Sequence, residues 1–159
     1  MEATSTAALT EHRDCVVQAA CNVVKTTCNA DLTETTPGDE QGDTILAVIS
    51  LMGDLEWSIM LGLPSETAEK MTGAFAGFPI PFDSDDMGDA IGELTNIFAG
   101  EVKALLDTKG VHVEISLPSV MRASDLQVVR QKNSPCESIW FESPMGICWT
   151  GVAVGNSNG

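Results

Sequence analysis

The stretch from Ser84 to Gly110 constrains the fold more than any other part of the chain. Ser84 is a natural N-cap, Asp85 and Asp86 follow where the helix dipole favours negative charge, and Gly110 supplies a stop at the far end. At about 100° per residue, Met87, Ile91, Leu94, Phe98, Val102 and Leu105 fall in one narrow sector. A long helix with a single apolar stripe must lay that stripe on another layer, and the surrounding sequence supplies strands to build one.

Two β-rich runs, Ile45–Met52 and Leu55–Leu61, are separated by Gly53-Asp54, which has the size and chemistry of a two-residue hairpin turn. In the second run Leu55, Trp57, Ile59 and Leu61 alternate with Glu56, Ser58 and Met60, so one face is buried. Alternation resumes at Val111, Val113, Ile115 and Leu117 and stops at Pro118. Further strands are predicted near Leu126–Arg130, Glu137–Phe141 and Met145–Val154, with a turn at Ser143-Pro144-Met145-Gly146. A first helix is predicted from Leu9 to Cys28 with Thr10 as N-cap, followed by a loop over 35–43. A short helix opens at Pro64-Ser65-Glu66 and ends near Ala76, because the prolines of the GFPIPF segment cannot continue its ladder. Hairpins without regular β-α-β alternation predict an α+β domain: a largely antiparallel sheet of about six strands carrying two long helices and one short one. One domain is expected over 9–154, with loose ends at 1–8 and 155–159.

The formal charge of −15 on 159 residues is spread along the chain and disfavours nucleic acid and anionic membranes, which demand basic groups. The longest apolar run, Ile45 to Met52, is too short to span a bilayer, and the start lacks a basic patch followed by an apolar block, so a cytoplasmic protein is expected. Cys15, Cys21, Cys28, Cys136 and Cys148 show no metal-ligand spacing and read as free thiols. Asp83, Asp85 and Asp86 lack the pattern of a calcium loop and read as helix capping. His12 and His112 lie in no recognisable nucleophile constellation, and Trp57, Trp140 and Trp149 all fall on predicted strands.

Chemistry is best sought on the back of the long helix. Glu93 and Asn96 lie opposite the stripe and one turn apart, so their side chains are neighbours. Asp89, Gly92 and Gly100 surround them; glycine inside a helix costs about 1 kcal/mol relative to alanine, which suggests either that something needs close access there or that the glycines serve close packing against another helix. Composition alone supplies roughly half a chance occurrence of a Glu-x-x-Asn spacing, so the pair is also compatible with ordinary solvated side chains. Shifting the first helix by 74 residues sets Asn22 on Asn96 and Ala19 on Glu93, as in a degenerate repeat whose first copy has lost its acid.

The segment Asp89-Ala90-Ile91-Gly92-Glu93-Leu94-Thr95-Asn96-Ile97-Phe98-Ala99-Gly100, followed by Ile115-Ser116-Leu117-Pro118-Ser119-Val120, resembles the CheC/CheX phosphatases of bacterial chemotaxis and related two-component signalling. The single Glu-x-x-Asn is closer to the CheX branch. The resemblance extends over Leu9 to Val154; its specific part runs from the long helix through Pro118, after which Met121-Arg122-Ala123 stands where the family often has a glycine. It implies a phosphatase acting on the aspartyl phosphate of a response-regulator receiver domain, with Asn96 orienting the attacking water and Glu93 pairing with the receiver's active-site lysine. Asp89, Gly92 and Gly100 would line the docking face. No cofactor is then expected on this chain, with Mg2+ carried by the receiver, and a homodimer is implied. The alternatives are a non-catalytic adaptor or a dimerisation module using the same helix face.

Overall fold

The structure, a computed structural model, describes residues 2–38, 42–127 and 135–155. Among these, three helices lie on one face of a seven-stranded antiparallel sheet. In chain order the elements are α1 (Glu2–Cys28), β1 (Thr33–Thr35), β2 (Asp43–Gly53), β3 (Trp57–Pro64), α2 (Ser65–Ala76), α3 (Asp85–Asp107), β4 (Val113–Ile115), β5 (Ser119–Ser124), β6 (Cys136–Ser143) and β7 (Gly146–Val154). The strand order is β1-β6-β7-β3-β2-β4, and β5 also pairs with β2.

Cross-strand registers divide the sheet into two faces. Ile45, Ala47, Ile49 and Leu51 of β2, Trp57, Ile59 and Leu63 of β3, Ile139 and Phe141 of β6, and Cys148 and Val152 of β7 are all buried and alternate onto the face beneath the helices. From above, α3 contributes Met87, Ile91, Leu94, Phe98 and Val102, and α1 contributes Val16, Ala19, Ala20 and Val23. The predicted stripe is therefore real except at its end, where Leu106 rather than Leu105 is fully buried. At each helix end a small rotational drift decides between adjacent leucines, and the wheel does not resolve it.

Several expectations need correction. Helix α1 starts at Glu2 rather than Leu9, leaving Thr10 inside it; the alanine-rich stretch ahead of Leu9 contains no breaker. No two-residue turn forms at Gly53-Asp54. The last β2–β3 pair is Leu51↔Trp57, and β2 continues to Gly53 because Met52 and Gly53 pair with Glu114 and Val113 of β4. Gly53 has φ 137°, and a Cβ there would lie 2.6 Å from the His112 carbonyl oxygen, so glycine marks a close approach and not a hairpin. Asp54 accepts from the His112 backbone N–H at 2.9 Å and fixes the same crossing.

The predicted strand Val111–Leu117 is shorter, and the chain resumes as β5 on the same edge of β2 after a break at 116–118. Pro118 has no N–H to give the ladder, and Ser116 repairs the gap: its N–H donates to Ser50 O at 3.0 Å and its hydroxyl accepts from Ser50 N–H at 2.9 Å. Leu126 and Gln127 of the strand expected at Leu126–Arg130 lie outside any strand, and 128–130 fall outside the described residues, as do 156–159 of the expected tail. Seven strands rather than six result, because β5 and the short β1 were not read. By contrast, the Ser143–Gly146 turn, the short helix and the Ser84 cap stand as expected; the Ser84 hydroxyl accepts from Met87 N–H at 3.3 Å.

Polar contacts tie the helical layer down. The Arg13 guanidinium bridges from α1 to Glu34 on β1 and to Glu137 on β6, the latter at 2.6 Å, and holds the Glu34 carboxyl below the usual carboxylate range. All five cysteines are free, with Cys15, Cys28 and Cys148 buried, and burial pushes the Cys148 thiol up to about 12. Such thiols act as small hydrophobes. His12 is buried with its ring 6.4 Å from that of Trp57, while His112 is exposed and meets Asp107 at 2.5 Å. Trp57, Trp140 and Trp149 all lie on strands, and the rings of Trp140 and Trp149 are 6.1 Å apart.

Candidate active site

Helix α3 is firmly seated, capped at Ser84 and buried along its inner stripe. Its opposite side carries Asp89, Glu93 and Asn96, all exposed, with Gly92 and Gly100 partly covered between them. Neither Glu93 nor Asn96 is hydrogen bonded to another described side chain, so both present their full donor and acceptor capacity to solvent. By contrast, Thr95, between them, is buried and its hydroxyl is spent on the Ile91 carbonyl at 2.6 Å.

A cavity of about 40 Å³ does lie close by, but on the inner side of α3, lined by Leu94, Phe98, Val23, Leu63, Cys148 and other largely apolar groups. Glu93 and Asn96 do not line this cavity beneath the helix. Small-molecule sites are concave and mostly enclose their ligand, whereas here the polar pair projects outward from a rigid rod. Such a pair can complete a site on another macromolecule by inserting two side chains into it. Asp83, Asp85 and Asp86 gather no metal geometry, and among the described residues no group of three or more metal-ligating side chains comes together.

The two glycines have no structural reason within the chain. A Cβ at Gly100 would meet nothing within 4 Å, and one at Gly92 would touch Val120 and Pro118 at 3.8 and 4.0 Å, ordinary contact distances. Gly100→Ala is therefore expected to raise stability by about 1 kcal/mol, seen as a higher urea midpoint with an unchanged slope.

Under the 74-residue shift Asn22 is exposed like Asn96 and Ala20 buried like Leu94, whereas Ala19 is fully buried where Glu93 is exposed; Asn22 donates to Glu101 of α3 at 3.1 Å. Helix α1 packs beside α3 and presents no second Glu–Asn face. One feature escaped the sequence reading altogether: Arg122 of β5 reaches the amino end of α3, a long-range contact that no local pattern announces.

The family model for the chemotaxis phosphatase CheX matches residues 45–142, most of the chain and the whole of α3. This chain belongs to the CheX family. It is 35% identical over 86 residues to the CheY-P phosphatase CheX of Thermotoga maritima, a match spanning 54% of this chain and 56% of that protein. The fold is shared with the chemotaxis protein CheX of Desulfovibrio desulfuricans, with a TM-score of 0.75 at 23% identity over 91% of this chain and 99% of that one. It is also shared with a Borrelia burgdorferi chain solved as a complex of CheX with CheY, BeF3 and Mg2+, with a TM-score of 0.71 at 21% identity over 91% and 98% of the two chains. The expected fold class and the CheX branch are thus both found. The described residues include no helix long and apolar enough to cross a membrane.

Proposed function

We propose that this CheX-family chain accelerates hydrolysis of the aspartyl phosphate on a CheY-like receiver domain. The observation that carries the reading is an unengaged, exposed Glu93–Asn96 pair on the outer face of a helix immobilised along its inner face. Phosphoryl transfer asks a protein mainly for positioning and charge stabilisation, and one amide that orients an in-line water suffices, as a glutamine does in some GTPases. Asn96 takes that part. Glu93, one turn away, pairs with the receiver's active-site lysine and sets the helix in register, an ion pair that strengthens as the interface sheds water. Asp89, Gly92 and Gly100 line the approach, and the glycines that the fold itself does not need leave room for the partner's backbone.

The divalent cation, Mg2+, belongs to the receiver in this reading. A homodimer is part of the same proposal: the register places Met52, Met121 and Ile147, all exposed, on the sheet face away from the helices, an apolar surface of the kind an oligomer covers. The deciding experiment follows phosphate loss from a receiver pre-labelled at its aspartate, with substoichiometric amounts of this protein added. Multiple turnovers are expected. Stoichiometric binding without faster decay would instead identify an adaptor that uses the same face.

A further inference from the structure

The amino end of α3 is gripped from two sides. Arg122 lies on β5 opposite Ile45 of β2, and since Ile45 faces the helical layer, its cross-strand partner shares that face. From there its Nη1 donates to the carbonyl oxygens of Phe82 at 3.2 Å and Ser84 at 3.1 Å. The second of these belongs to the N-cap residue of the site helix. On the other side, the Phe82 N–H donates to the Glu69 carboxylate of α2 at 3.1 Å, and Phe82 and Ile80 are buried beneath. The peptide units leading into α3 are thus held between α2 and β5 by charged side chains, and the Ser84 hydroxyl, donating to Pro81 O at 2.7 Å, closes the turn.

The helix dipole alone disfavours a cation at this end, but Asp83, Asp85 and Asp86 stand around the helix start and offset that cost. The guanidinium adds geometry: one planar, fixed donor group joins the sheet edge to the start of the helix. The same edge also runs beside α3 farther along, where a Cβ at Gly92, the residue before Glu93, would touch Val120 of β5 and Pro118 just ahead of it. Strand β5 is therefore a rail along the half of α3 that carries Asp89, Glu93 and Asn96, and Arg122 is its terminal fastening.

We propose that Arg122, with Glu69 as the opposing jaw, is a positioning residue that fixes the amino half of α3 and through it the placement of Glu93 and Asn96 against the receiver. The kinetic part of this proposal rests on the phosphatase reading above; the structural part does not. Misplacement by a fraction of an ångström is enough to degrade an oriented water, so Arg122→Ala is expected to lower kcat about ten-fold while KM changes less than about two-fold. Arg122→Lys, which keeps a donor but not the planar fork, is expected to recover part of the loss.

The experiment measures decay of the phosphorylated receiver with the wild-type protein, both Arg122 variants and Glu69→Ala, at a temperature where all are fully folded. Amide hydrogen exchange is recorded on the same samples. The expected pattern is faster exchange confined to the first turns of α3, together with the fall in kcat. Unchanged kcat per folded molecule in Arg122→Ala, or faster exchange spread evenly over the chain, would overturn the proposal. If the wild type itself shows no turnover, the phosphatase reading fails, while exchange at α3 still decides the clamp: local acceleration upholds it and unaltered exchange refutes it.

Discussion

Asn96→Ala is expected to lower the turnover of a phosphorylated receiver by at least about 100-fold, the scale on which a single oriented polar group contributes to a transition state. Asn96 is exposed, makes no hydrogen bond to another described side chain and lies opposite the buried stripe of α3, so its removal leaves the packing untouched. The urea midpoint should move by no more than about 0.5 kcal/mol equivalent, as is usual for surface positions away from caps and special contacts. Loss of activity with an unmoved midpoint is the signature of a group that acts on the partner's chemistry. Glu93→Gln should behave differently: it removes the charge that pairs with a lysine but keeps the shape, so KM rises more than kcat falls. A fully active Asn96→Ala protein would sink the proposed mechanism outright, because nothing else on this face carries an amide poised to hold water.

The features legible in the sequence were those governed by local rules. The Ser84 cap, the stripe from Met87 to Val102, the end of the short helix at Ala76 and the Ser143–Gly146 turn all follow from chemistry within a few residues, although it is Gly77 in the left-handed region, not the later prolines, that stops the short helix. Glu93 and Asn96 could be assigned to the solvent side by angle alone, and both are exposed. What could not be read depends on distant partners. Gly53-Asp54 has the composition of a hairpin turn, but β4 arrives from 60 residues on and claims Met52 and Gly53 as ladder residues. Met121-Arg122-Ala123, standing where the family often has a glycine, is part of β5, whose pairing with Asp43–Val48 is set by the opposite strand. The position under Glu93 in the 74-residue shift differs for a related reason: each helix buries whichever side its neighbours cover, and Ala19 is fully buried where Glu93 is exposed. A helical wheel records spacing but not the identity of the surface beneath it.

Phe98→Ala, two residues beyond Asn96, is expected to produce the opposite phenotype. Phe98 is 3% exposed and packs where α1, α3 and the sheet meet. Truncating a buried phenylalanine to alanine costs about 3–5 kcal/mol, the transfer of its lost atoms plus the cavity left behind. Here the second component should be near its upper end. Phe98 already borders the 40 Å³ apolar cavity with Leu94, Val23, Val24, Cys28 and Leu63, so its removal enlarges an existing void. The floor of that void is the continuous β6–β7–β3 ladder, which resists collapse. Against a total stability of about 5–15 kcal/mol, typical for single domains, such a loss is a large fraction, and it should appear as a lower urea midpoint with a nearly constant slope. Activity per folded molecule should fall far less than in Asn96→Ala, because Ser84, Arg122 and the remaining stripe still seat the helix. A stability loss below about 1 kcal/mol would mean that α1 and α3 close over the hole, and Glu93 and Asn96, riding on the helix that moved, should then lose activity as well.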